Sequence, residues 1–131
     1  MKKIIVVDDS RAFRIQVRTR LEDEGFEVLE AEDGNTGYEL IKENQDVKLI
    51  LSDINMSGMD GISMLEELKS NDLLLNIGVI VLTTETSAKL QARRKKSGVD
   101  AWFSKPLSID RWEILVRLVY KLIKKFENET S

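Results

Sequence analysis

Five short apolar runs, rich in β-branched side chains, punctuate the chain at residues 4–7, 27–30, 49–52, 79–82 and 101–104. Each is long enough for a strand and too short for a helix. The runs at Ile4, Leu49 and Val79 are apolar at nearly every position, which is the pattern of strands covered on both faces, so these three are expected at the centre of a parallel sheet. The run at Val28 is mixed and the run at Ala101 carries Trp102 and Phe103, so both are expected nearer its margins.

Between the runs the apolar period lengthens to that of a helix. Phe13, Val17 and Leu21 recur every four residues, with Gly25 following as a stop. Asp60 stands as an N-cap before Gly61, Ile62, Leu65 and Leu68. Residues 87–97 are apolar-poor: Leu90 with small alanines, then Arg93-Arg94-Lys95-Lys96, so this helix is expected to be the least firmly packed. A last helix is expected from near Ser108, with Ile109, Trp112, Val116, Val119, Ile123 and Phe126 at three- and four-residue steps. Leu115, Leu118 and Leu122 widen that stripe, and residues 127–131 read as a short frayed tail behind one domain at 1–126. Strands alternating with helices predict an α/β fold with helices on both faces of the sheet.

Composition narrows the chemistry. The 131 residues suit one domain that buries about two-thirds of its unfolded surface. Hydrophobic residues at 42% and charged residues at 33% exclude disordered and collagenous classes. The opening Met1-Lys2-Lys3 with four apolar residues is too short for a signal peptide and no run approaches membrane length, so a cytoplasmic location with no membrane partner is expected. Cysteine and histidine are absent, which removes disulfides, ordinary zinc sites, thiol nucleophiles and imidazole acids or bases. A net charge of -3 argues against nucleic acid as a partner.

In a parallel α/β sheet, ligands bind beyond the carboxyl ends of the strands. After Val7 come Asp8 and Asp9, after Ser52 comes Asp53, after Leu82 come Thr83 and Thr84, and after Ser104 comes Lys105. Capping and turn chemistry explains any one of these residues but explains the set poorly, because all would converge on one edge. Converging carboxylates repel unless a cation neutralises them, and oxygen ligands without imidazole or thiolate point to Mg2+. Magnesium suggests phosphate chemistry. Asp53 is then the candidate nucleophile, Lys105 pairs with the carboxylate and afterwards with the phosphoryl oxygens, and the Thr83 hydroxyl donates to those oxygens.

The motifs Val7-Asp8-Asp9-Ser10, Ser52-Asp53-Ile54-Asn55-Met56 with Met59-Asp60-Gly61, Leu82-Thr83-Thr84-Glu85 and Ser104-Lys105-Pro106 together resemble a response-regulator receiver domain across essentially the whole chain. The resemblance implies a five-stranded, doubly wound flavodoxin-like (βα)5 fold with strand order 2-1-3-4-5. It further implies Asp53 as phosphoacceptor, Mg2+ held by Asp8, Asp9, Asp53 and the Asn55 main-chain carbonyl, Thr83 and Lys105 sensing the phosphoryl group, and a cis peptide before Pro106. Thr84-Glu85, Gly98, Ala101-Trp102 and Lys105-Pro106 are similar to the chemotaxis, CheY-like branch. That branch implies a stand-alone monomeric regulator, not a turnover enzyme, phosphorylated by a CheA-like histidine kinase. Its target would be the flagellar motor switch or another protein, and a phosphatase is a further possible partner.

Three positions depart from the common pattern. Ser57 replaces a frequent proline, Thr84 is bulkier than usual beside Thr83, and Trp102 takes an aromatic switch position often held by tyrosine. Trp102 as a switch, moving with the strand after Ile80, competes with plain packing against the last helices. The basic residues Lys89, Arg93, Arg94, Lys95 and Lys96 either steer an acidic target or form a solvated helix surface. A phosphorelay intermediate remains the alternative within the family. An aspartate-based phosphohydrolase of the haloacid-dehalogenase type is more distant, because it needs its two acids two residues apart whereas Asp8 and Asp9 are adjacent. A flavin module is weaker still, since a flavin phosphate seeks amides and hydroxyls rather than two carboxylates.

Overall fold

The computed structural model describes residues 2–56, 58–84 and 98–130, the last three as backbone only. The expected helix at 87–97 with its basic run, Glu85 and Ser57 lie outside the described residues. The elements in chain order are β1 (Lys3–Val7), α1 (Arg11–Asp23), β2 (Glu27–Ala31), α2 (Gly34–Glu43), β3 (Leu49–Ser52), α3 (Gly61–Ser70), β4 (Gly78–Thr83), β5 (Ala101–Ser104) and a C-terminal helix, α4 (Ile109–Thr130). The strands form one parallel sheet in the order β2-β1-β3-β4-β5, the flavodoxin-like arrangement. The three most apolar runs occupy its centre, where water reaches neither face.

Strand alternation divides the core in two. Ile4, Val6, Leu49, Leu51, Ile80 and Leu82 face one side and meet Val17 and Leu21 of α1 and Leu115, Val119, Leu122 and Ile123 of α4. Ile5, Val7, Ile50, Val79 and Val81 face the other and meet Ile41 of α2 and Ile62, Met64, Leu65 and Leu68 of α3. The α4 stripe starts later than the sequence predicts: Ile109, the first residue of the helix, is 76% exposed, whereas Leu115 is fully buried. The α4 backbone remains helical through Thr130, so residues 127–130 prolong the helix.

Helix α2 carries its large apolar side chains only from Tyr38 onward, with Leu40 and Ile41 following. It is capped by Asp33, whose carboxylate accepts the Thr36 N–H at 2.7 Å, and it buries Gly34 and Gly37 beside Ile41. At Gly34 an added Cβ would stand 2.2 Å from the Met59 carbonyl oxygen, so the helix meets the β3–α3 connection through bare backbone.

What the fold positions is the row beyond the strand ends. In β1, Val7 pairs with Ala31 of β2 and Ser52 of β3 at one level. The ladder continues one step further: Asp8 N–H donates to the Ala31 carbonyl at 3.0 Å and Asp53 N–H to the Val7 carbonyl at 2.8 Å. Two acids separated by 45 positions therefore leave neighbouring strands side by side.

Candidate functional site

Asp8 and Asp53 are buried and Asp9 is exposed. One carboxylate oxygen from each lies within 4.8 Å of the others. Lys105, following β5, reaches over this group: its Nζ donates to Asp8 Oδ2 at 2.5 Å and to Asp53 Oδ2 at 3.1 Å. Its own N–H donates to the Thr83 carbonyl at 2.9 Å, which sets the lysine beside the end of β4. The Lys105–Pro106 peptide is cis.

Main-chain groups aim the carboxylates. Ser10 N–H donates to Asp8 Oδ1 at 2.9 Å and Ile54 N–H to Asp53 Oδ1 at 2.6 Å. The Asp53 carbonyl accepts the Ser52 hydroxyl at 2.8 Å, and the Ile54 carbonyl accepts the Gly61 N–H at 3.0 Å. Thus α3 begins against the acidic loop. Its N-cap is Asp60, which accepts the Ser63 N–H at 2.7 Å.

Burial pushes the Asp8 carboxyl above the ordinary carboxylate range. Hydrogen bonds from Lys105 and Ser10 act in the opposite direction, and the charge of Asp53 adds to the rise. Three carboxylates against one ammonium leave two negative charges in a pocket whose donors are all oxygen. That donor set suits a hard divalent cation and does not suit zinc or copper.

Asp8, Asp9, Asp53 and Lys105 form one cluster. Thr83 is fully buried at the end of β4, and Thr84 is exposed just beyond it. Asn55 is exposed two residues after Asp53. Trp102 lies on β5 in register with Val81, half-buried, and packs on the α2/α3 side of the sheet. It therefore does not face the C-terminal helix, and the expected helix at 87–97, the other of the last helices, lies outside the described residues. Strand alternation gives the α4 side to its neighbour Phe103.

Two further side chains meet the site without a signal in the sequence. Arg14 Nη1 donates to the Asp8 carbonyl at 2.7 Å while its Nε donates to Glu30 Oε1 at 3.0 Å, tying α1 and β2 to the acidic loop. The Phe13 ring lies under the Lys105 ammonium, 4.1 Å from Nζ to the ring centroid. In the sequence Phe13 is one apolar position of a helix and Arg14 one surface charge. Spacing carries no sign of either contact.

Comparison with known proteins agrees with this fold. The family model of the response regulator receiver domain matches residues 4–117. Chemotaxis protein CheY1 of Helicobacter pylori is 34% identical over 107 residues, covering 81% of this chain and 86% of that protein. A chemotaxis protein CheY homolog of Campylobacter jejuni is 32% identical over 107 residues, covering 81% and 82%. The crystal structure of a CheY-like response regulator receiver domain protein from Methanospirillum hungatei aligns with a TM-score of 0.84 at 31% identity over 98% of both chains. With its fold, its clustered acids and these relatives all in accord, the chain belongs to the response-regulator receiver domain family.

Proposed function

We propose that this receiver domain accepts a phosphoryl group on Asp53 from a CheA-like histidine kinase in the cytoplasm and thereby changes its affinity for a target protein, the flagellar motor switch. The observation that carries the reading is the Asp8–Asp9–Asp53 cluster with Lys105 bonded to both buried acids. Similarity to proteins named for chemotaxis directs the reading toward that target.

In the transfer, an Asp53 carboxylate oxygen attacks phosphorus, the phosphorus–nitrogen bond of the donor phosphohistidine breaks, and a phosphorus–oxygen bond forms. The imidazole leaves on the donor protein. Asp8, Asp9, Asp53 and the Asn55 main-chain carbonyl would hold Mg2+, which when bound offsets negative charge on the incoming phosphoryl oxygens. The Ile54 N–H keeps Asp53 oriented. Lys105, already on Asp53 Oδ2, follows the charge onto the phosphoryl group. The Thr83 hydroxyl donates to the new oxygens, which biases the end of β4 and the neighbouring Trp102 strand toward a second packing. The exposed Thr84 restricts access of water or a phosphatase. The domain is thus a phosphoacceptor whose product is its own altered surface.

The test is incubation with Mg2+ and a small phosphodonor, followed by mass spectrometry. Wild type gains one phosphoryl group and Asp53→Asn gains none; label retained in Asp53→Asn overturns the assignment. Pull-down of motor-switch protein with and without phosphodonor tests the target, and equal capture in both arms rejects it.

A further inference from the structure

Lys105 shares its carboxylates with any cation that enters the site. An ammonium on a flexible four-carbon stem, repelled by a second positive charge, needs another hold to stay aimed at Asp53. The Phe13 ring supplies one. It lies 4.1 Å from Nζ, where the lysine side chain is only 13% exposed and cation–π attraction is little screened by water. Neither metal nor phosphoryl chemistry alters the charge distribution of this ring.

The ring is itself located from the acidic loop. Ser10 N–H donates to Asp8 Oδ1, Ser10 Oγ accepts the Phe13 N–H at 3.2 Å, and Lys105 Nζ donates to Asp8 Oδ2. Asp8, Ser10, Phe13 and Lys105 thus close a circuit. Trp112 of α4 stands 6.1 Å from Phe13 between ring centroids, and the Arg20 guanidinium lies over Trp112 at 5.7 Å. The Phe13 ring thus also has an aromatic neighbour on α4.

We propose that Phe13 is a positioning residue for Lys105, retaining the ammonium over Asp53 when a divalent cation takes its carboxylate partners. The proposal rests on the phosphoacceptor reading only for its effect on rate. The positioning is read directly by carbon-edited NMR of the Lys105 ε-methylene, assigned by its loss in Lys105→Met. In wild type its proton signals are displaced upfield by the ring current and remain so when Mg2+ is added; a move to the position of exposed lysines on adding Mg2+ overturns the proposal. Phosphorylation of Phe13→Leu by a small phosphodonor is expected to slow about three- to tenfold, while Phe13→Tyr labels like wild type. Mg2+ affinity by calorimetry stays equal or tightens in Phe13→Leu, a divergence that mere loosening of the fold does not produce. Equal rates in Phe13→Leu and wild type, equal slowing by Tyr and Leu, or Mg2+ affinity falling with the rate each overturn it. If wild-type Asp53 takes no label, the phosphoacceptor reading fails while the Lys105 resonances still decide the role of Phe13.

Discussion

Desolvation raises the pKa of the buried Asp8 despite bonds from Lys105 and Ser10. Such a group persists only because its surroundings hold it, and Gly61 shows how tightly. A Cβ at Gly61 would stand 1.9 Å from the Asp53 carbonyl oxygen and 3.0 Å from Ser52 Oγ. Backbone lies in the way, so no side-chain rotation relieves the contact. Gly61→Ala is expected to destabilise the fold by about 2–3 kcal/mol, seen as a lower urea midpoint. Wild-type stability in that variant would contradict the close approach of α3 to the acidic loop. The Met59-Asp60-Gly61 motif is plain in the sequence, but the need for glycine follows only from the carbonyl it faces.

Helix α1 is joined to its neighbour by charge as well as by Val17 and Leu21. Arg14 and Arg18 both donate to Glu30 of β2, at 3.0 and 2.7 Å, and Arg18 also donates to Glu22 at 2.8 Å. Burial pushes the Glu30 carboxyl up, but the hydrogen bonds from Arg18 and Arg14 outweigh it and hold the group below the ordinary glutamate range. A depressed carboxylate stabilises the fold fully above its unfolded value near 4.5, and that contribution disappears as the pH falls through the lower folded value. Glu30→Gln is therefore expected to lose roughly 1 kcal/mol at pH 7, with the gap to wild type closing below about pH 4. Urea unfolding at both pH values checks this, and a gap that widens on acidification would refute the pairing. Among the helices, α1 and α3 announce themselves by apolar spacing. Helix α2 adds a contact that spacing does not show, because at Gly34 and Gly37 its backbone approaches Met59, Val7 and Met64 in place of large side chains.

Across the molecule, two apolar layers clamp the sheet, and α4 closes one of them. Leu115 is fully buried in that layer while Ile109, on the same helix, is 76% exposed. Leu115→Ala is expected to cost about 3 kcal/mol and Ile109→Ala less than about 0.5 kcal/mol, both from urea unfolding. Comparable losses at the two positions would mean that α4 docks by a different face. No helix among the described residues is long and apolar enough to cross a membrane. The layers leave the carboxyl edge of the sheet free to present charge, which separates the work of stability from that of the site.

The strand runs, their central or marginal places and the row of acids, hydroxyls and lysine at their ends were all legible in the linear order, because hydrophobic period and strand polarity are local properties of the chain. The convergence of Asp8, Asp9, Asp53 and Lys105 follows from strand order and register, so it could be anticipated once a parallel sheet was assigned. Four features could not: the ring of Phe13 under Lys105, Arg14 on the Asp8 carbonyl, Trp102 on the face opposite α4, and the exposure of Ile109. Each depends on how far a side chain extends and on the angle at which a helix settles against the sheet. Those quantities come from the packing of both layers together, and no short stretch of residues contains them.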